Sequence, residues 1–393
     1  MHHKMKKLFH SLALLGILWF MTGCRKPVPK TAGSSSSSFW YLLAGTYTGT
    51  GFTLQGADSG IYILRMNPST GELMLVNASP ATENPSFLVF DPVRLQVFSV
   101  NENETGGISS FSLDTVSMTL RFLNRVSSEG KYPCYISLDP AGKFILAANY
   151  GSGNVAAFPI HPDGKVGKAV SVHQHTGKGP VADRQEGPHA HMILPSPDGK
   201  YIYSTDLGTD EIYVYTLNAE DGSLVPAGFT VKTGSGAGPR HIAFHNAKPW
   251  IYVVNELNGT IESFLYEEAT GNLNRFQIAA TRKKGDERFA GCADIHVHPS
   301  GKFLYATNRG EINEIVLFEI EPNTGKLSRR ESYPTGGKTP RNFAISPDGQ
   351  FLLCANQNTN NIVVFRIDPA TGKLTSTGST FSLPAPVCLR FMP

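Results

Sequence analysis

Short apolar runs ending in Thr, Asn or Asp recur along the chain: Leu42 to Thr46, Val97 to Asn101, Ile145 to Asn149, Ile202 to Asp206, Ile251 to Asn255, Leu304 to Asn308 and Leu352 to Asn356. The spacing is roughly fifty residues, the period of a repeat architecture. Each run is rich in β-branched and aromatic residues and too short for a helix, so each predicts a strand. In six copies the run follows another apolar strand and a turn, as at Pro197-Asp198-Gly199 and Pro347-Asp348-Gly349. Pro and Gly preset the backbone angles of such hairpins. A second hairpin signal comes later in the units, as at Thr70-Gly71, Thr270-Gly271, Thr324-Gly325 and Thr371-Gly372. Four strands per unit follow.

The first strand is missing from the N-terminal unit and stands at the other end of the chain, as Pro386-Val387-Cys388-Leu389-Arg390-Phe391. The chain is therefore expected to be all-β, a seven-bladed β-propeller closed by pairing of the C-terminal strand with the N-terminal blade. Closure removes two exposed sheet edges. A linear solenoid would instead call for capping repeats.

The N-terminus adds a second level of organisation. Lys4, Lys6 and Lys7 precede an apolar run from Leu12 to Met21, then Thr22-Gly23-Cys24. The run is too short to span a bilayer and predicts a signal peptide over residues 1–23, with Cys24 as the lipidated first residue of a bacterial lipoprotein. Residues 24–38, with five consecutive serines, read as a flexible tether, and residues 39–393 as the propeller. The expected location is exported, held to a bacterial membrane only through the lipid. Removing residues 1–23 takes away three lysines and no acids, leaving 32 basic and 32 acidic residues. A neutral chain gives no electrostatic reason to expect nucleic acid. Cys134, Cys292, Cys354 and Cys388 have no metal-type spacing and read as unbridged apolar strand residues.

Aligning the units by their turns sets Ser86, Cys134, His191, Arg240, Ala293, Arg341 and Val387 at the start of the first strand. Tyr47, Glu102, Tyr150, Leu207, Glu256, Arg309 and Gln357 fall just past the end of the second. An antiparallel hairpin puts these two columns side by side, at one end of every blade. One axial mouth is thus expected to gather His191, Arg240, Arg341, Arg309, Glu102 and Glu256, with His189, His241 and Asp294 close by. Charged residues converging where apolar ones are usual suggest a site able to bind an anion and move a proton. Structural salt bridges lining an axial channel are the alternative. His161, His173, His175, His245 and His298 read as surface or capping residues. No third ligand accompanies Asp294 and His296 at a recognisable spacing, so neither a metal nor a cofactor is called for.

Gly187-Pro188-His189-Ala190-His191, Gly238-Pro239-Arg240-His241, Val254-Asn255-Glu256, Thr307-Asn308-Arg309 and Thr339-Pro340-Arg341-Asn342 resemble the motifs of propeller-type 6-phosphogluconolactonases. That family includes the fungal enzyme that lactonises 3-carboxymuconate. The resemblance runs over almost all of the chain after Phe39 and implies a seven-bladed propeller. It also implies catalytic roles for Arg240, Glu256, Arg309 and a histidine, either His191, which is level with Arg240 and Arg341, or His189, which directly follows the proline; the shared mouth makes His189, His241, Arg341, Glu102 and Asp294 the expected substrate-binding neighbours. The activity implied is hydrolysis of a sugar lactone; that chemistry demands no metal or cofactor, and the chain is expected to act as a monomer. Glu256 or His191 would deprotonate water, Arg240 and Arg309 would stabilise the oxyanion, and Arg341 would hold an acidic substituent. Export departs from the family pattern, because 6-phosphogluconolactone belongs to cytoplasmic sugar metabolism. A non-catalytic binding propeller and a muconate-type lactonising enzyme are the alternatives.

Overall fold

The computed structural model describes residues 39–49 and 59–392. The signal segment, the tether and Cys24 lie outside the described residues. Seven four-stranded antiparallel sheets succeed one another, and the first strand of each touches the first strands of its two neighbours until the ring closes. Those strands surround a common axis, and the chain runs outward in each blade. Among the described residues the only helix is a 3-10 turn at Gln357–Thr359, and none is long and apolar enough to cross a membrane.

The seam is built as the strand count requires. Pro386–Met392 pairs antiparallel with Trp40–Thr46 and forms the innermost strand of the blade completed by Ile61–Met66 and Leu73–Ala78. Leu389 packs in a cluster with Leu42 and Leu64 of this blade and with Phe351 and Leu353 of the last one. Closure is thus both a ladder of backbone hydrogen bonds and a shared apolar core.

One contact repeats between blades and explains the outer Thr-Gly turns. Gly71 has φ +78°, and a Cβ built there would sit 2.8 Å from the Phe351 ring of the preceding blade. Only glycine permits both the backbone angle and the approach. Tyrosines on second strands fasten the same junction: the Tyr203, Tyr252 and Tyr305 hydroxyls donate to the carbonyls of Gly271, Gly325 and Gly372 at 2.7, 2.9 and 2.6 Å. Cys134, Cys292, Cys354 and Cys388 are all buried and unbridged.

Candidate active site

The first-strand column owes its direction to a recurring irregularity. In six blades the pairing between innermost and second strands slips by one residue at the strand's start. The extra residue is Cys134, His191, Arg240, Arg341 or Val387, and in the sixth blade Ala293 and Asp294 face Thr307 alone. Such a bulge bends the strand and re-aims a side chain. Pro133, Pro239, Pro340 and Pro386 stand immediately before it, at the first residue of the strand, where a missing N–H disturbs the ladder least.

These bulges rim an axial cavity of about 450 Å³, lined by His191, Arg309, Arg341, Glu102, Glu256 and Arg184 together with Tyr47, Tyr132, Tyr150, Cys134 and Gln357. Three guanidiniums meet at Glu256. Arg184 Nη2 lies 2.6 Å from Oε1, while Arg309 Nη2 and Arg240 Nε lie 2.6 and 3.0 Å from Oε2. Burial opposes the Glu256 charge, but Arg309, Arg240 and Arg184 prevail and hold its carboxyl far below the ordinary 4.5. It is ionised and a weak base. Glu102 forms a second anchor: it accepts from Tyr47 Oη at 2.9 Å and from the Ser86 hydroxyl, and Arg341 Nη2 stands 3.5 Å away. Burial holds Tyr47 in its phenol form, well above its usual pKa.

His191 differs from these paired groups. It is buried, and its Nδ1 has no hydrogen-bond partner among the described residues. Burial and then the charges of Arg240, His241, Arg341 and Arg309 press its pKa well below 6.5, so the ring is neutral at pH 7. The Cys134 thiol donates to the His191 carbonyl at 3.3 Å, and burial raises its pKa far above the usual thiol value, which leaves it unsuited to act as a nucleophile.

Four expected positions are corrected. Arg240 does not line the cavity. Only 1% exposed, it lies behind Glu256 and also donates to the Ala293 carbonyl. Burial and the neighbouring Arg309 and Arg341 outweigh Glu256 and bring its pKa to about 10, so it is still charged at pH 7. His241 and Asp294 line a second axial cavity of about 320 Å³ with Phe87, Tyr135, His296 and Arg390. His241 lies one step beyond the bulged Arg240, and Asp294 one step beyond Ala293 within its bulge, so both address the next layer of the channel. Asp294 is saturated there, accepting from His241 Nδ1 at 2.8 Å, His296 Nε2 at 3.0 Å and Asn342 Nδ2 at 2.5 Å. Burial and then Arg240 push His241 down to about 4. His189 precedes its bulge, stacks on Tyr150 with ring centroids 4.6 Å apart, and reaches Glu186 at 3.0 Å.

His175 is also corrected. It is buried rather than at the surface, with Nδ1 2.7 Å from Asp206 and Nε2 3.0 Å from the Tyr215 hydroxyl. Arg184 was missed because it belongs to no repeated strand position. The signal available was the length of its loop, since the stretch between Ser171–Gln174 and Ala190–Pro195 exceeds the tight turns within blades.

Residues 41–391 match the family described as lactonase, 7-bladed beta-propeller. The chain is 35% identical over 349 residues to the 6-phosphogluconolactonase of Bacillus subtilis, covering 88% of this chain and 97% of that one. It is 36% identical over 315 residues to the 6-phosphogluconolactonase of Formosa agariphila, covering 79% and 88%. Among solved structures, the periplasmic gluconolactonase of Pseudomonas aeruginosa superposes with a TM-score of 0.85 at 33% identity, over 91% of this chain and 99% of that one.

Proposed function

The chain belongs to the lactonase family of seven-bladed β-propellers, and from that premise we propose that it hydrolyses a sugar lactone in the axial cavity, with 6-phosphogluconolactone or a related lactone as substrate. The observation that carries this reading is one cavity in which the His191 imidazole stands with the guanidiniums of Arg309, Arg341 and Arg184; burial and the neighbouring arginines favour the neutral form of the ring. Opening a lactone needs a base for water, a stabiliser for the tetrahedral oxyanion and a proton for the departing ring oxygen. His191 serves first and last in this scheme. It takes a proton as water attacks the carbonyl carbon, then returns it to the ring oxygen as the carbon–oxygen bond breaks. The product is a hydroxy acid that releases its carboxyl proton to solvent.

The arginines that disfavour a charged His191 in the free protein stop doing so once an oxyanion forms beside them. Charge is thus favoured on the imidazole only when the transition state supplies a counter-charge. Arg309 is the stabiliser best placed for this, since it lines the cavity while Arg240 does not. Glu256, with both oxygens bound to guanidiniums, fixes the arginines rather than acting as the base.

His191→Gln should lower kcat by roughly 100- to 10,000-fold on any lactone the protein accepts. Because the free-protein pKa of His191 lies below 6.5, kcat/KM of the parent should stay level as pH falls from 7 through 6.5. Parental turnover by His191→Gln would leave the cavity a binding site without chemistry.

The lysines, apolar run and Gly23-Cys24 junction support export and lipid attachment at Cys24, with residues 25–38 as tether. A fatty-acid analogue should label the parent and not Cys24→Ala; labelling of both would remove the anchor.

A further inference from the structure

The loop between the third and fourth blades carries Arg184 to the cavity. Its backbone is pinned from beneath. Gln185 is completely buried and donates to the Leu207 carbonyl at 2.8 Å and to Asp210 Oδ1 at 2.7 Å, while the Arg184 and Gln185 amides both bond to the Val181 carbonyl. The Arg184 side chain is 37% exposed, more than Arg309 or Arg341 at 14% and 18%. Its two hydrogen bonds, to Glu256 Oε1 at 2.6 Å and Tyr150 Oη at 3.3 Å, both use Nη2. Among the described residues nothing accepts from its Nε or Nη1.

The charges around Glu256 do not balance, since one carboxylate faces three guanidiniums. Arg240 cannot leave, being buried and tied to Ala293. Arg309 is tied by its Nε to the Gly291 carbonyl at 3.0 Å. Arg184 is the member that can turn away while Glu256 keeps two cations. Arg341 stands differently, because Glu102 has no second cation paired with it among the described residues.

We propose that Arg184 is a specificity-determining residue, which reads an acidic substituent on the lactone by exchanging Glu256 for that group as substrate enters. The inference rests on the lactonase reading and narrows its substrate class to lactones bearing a phosphate or a carboxylate. The exchange frees Glu256 Oε1 to accept a hydrogen bond from a sugar hydroxyl. A neutral lactone leaves the Arg184 pair in place and finds that oxygen occupied. Discrimination therefore acts twice, once through the ion pair gained and once through the acceptor released.

The test compares the intact parent with Arg184→Gln on 6-phosphogluconolactone, a glucarolactone and gluconolactone. The pinning residue Gln185 is untouched, and melting of the variant should match the parent. On the phosphorylated lactone kcat/KM should fall by roughly 10- to 100-fold, mostly in KM, the scale of a hydrogen bond to a charged group. On gluconolactone it should not fall and should rise by up to about tenfold, because the variant leaves Glu256 Oε1 open to a sugar hydroxyl without any exchange. A matching loss on the glucarolactone means that negative charge is read, and a loss confined to the phosphorylated lactone means that phosphate is; both support the inference. An equal loss on gluconolactone, or no loss on either acidic lactone, overturns it. So does a charge-selective loss in Arg341→Gln with none in Arg184→Gln. Calorimetry with glucose 6-phosphate against glucose separates this result from the underlying reading. If no lactone is opened but glucose 6-phosphate binds through Arg184, the lactonase reading fails and the anion site stands. If lactones are opened and Arg184→Gln binds glucose 6-phosphate as the parent does, the reverse holds.

Discussion

Glu256→Gln keeps the shape of the side chain and removes the single negative charge shared by Arg184, Arg240 and Arg309. Arg240 is the member that suffers, because at 1% exposure it has no access to water. Breaking a buried pair by removing one partner costs about 3–5 kcal/mol. At pH 7 the variant should therefore be less stable than the parent by about that much. The pH dependence sharpens the expectation. A carboxyl whose folded pKa is depressed contributes stability that is fully present above its unfolded value and is lost as pH falls toward the folded value. For Glu256 that window opens at about 4.5 and extends downward. Each unit below it removes about 1.4 kcal/mol from the parent and nothing from the variant, so at pH 3 the gap should have narrowed by about 2 kcal/mol. Urea unfolding followed by the fluorescence of Trp40 and Trp250 at both pH values measures this, since other titrating groups are common to the two proteins. A gap of the same size at pH 7 and pH 3, or a variant as stable as the parent at pH 7, would refute the account of Glu256 as the anchor of the arginines.

Two further outcomes follow from the fold and the cavity. Leu389→Ala should cost about 2–5 kcal/mol, because Leu389 is 1% exposed in the core that joins the first and last blades; a truncation at Leu383, which removes the whole closing strand, should aggregate or lose cooperative melting, and a truncate as stable as the parent would rule out closure at this seam. Arg309→Ala should lower kcat by roughly 100- to 1,000-fold with little change in melting, whereas Arg240→Ala should appear first as lost stability; steady-state kinetics beside thermal melting distinguish them, and the opposite pattern would return Arg240 to the oxyanion.

The blade count, the hairpins and the closing strand were legible because each depends on local signals: apolar alternation, Pro-Asp-Gly turns and a strand displaced from one end to the other. The gathering of His191, Arg309, Arg341, Glu102 and Glu256 at one cavity was legible for the same reason, since hairpin pairing fixes which strand ends meet. Side-chain direction inside a bulge was not. Arg240 and His191 hold equivalent positions, yet Arg240 turns behind Glu256, where it bonds to that carboxylate and to the Ala293 carbonyl of the sixth blade, while His191 lines the cavity. His241 and Asp294 were placed by nearness in sequence, which along a strand means the next layer rather than the same one. Arg184 lay beyond any repeat argument because its loop occurs once.

In five of the seven blades a single bulged residue has no partner of its own on the second strand, and what stands there can differ from blade to blade. A thiol, an imidazole, two guanidiniums and an isopropyl group occupy this place in Cys134, His191, Arg240, Arg341 and Val387 without altering the slip in pairing around them. The backbone thus offers a circle of sockets whose contents are nearly independent of the hydrogen-bonded frame. New chemistry at the axis can be installed one blade at a time, as by replacing Val387 or Cys134, while the strands beneath keep their register.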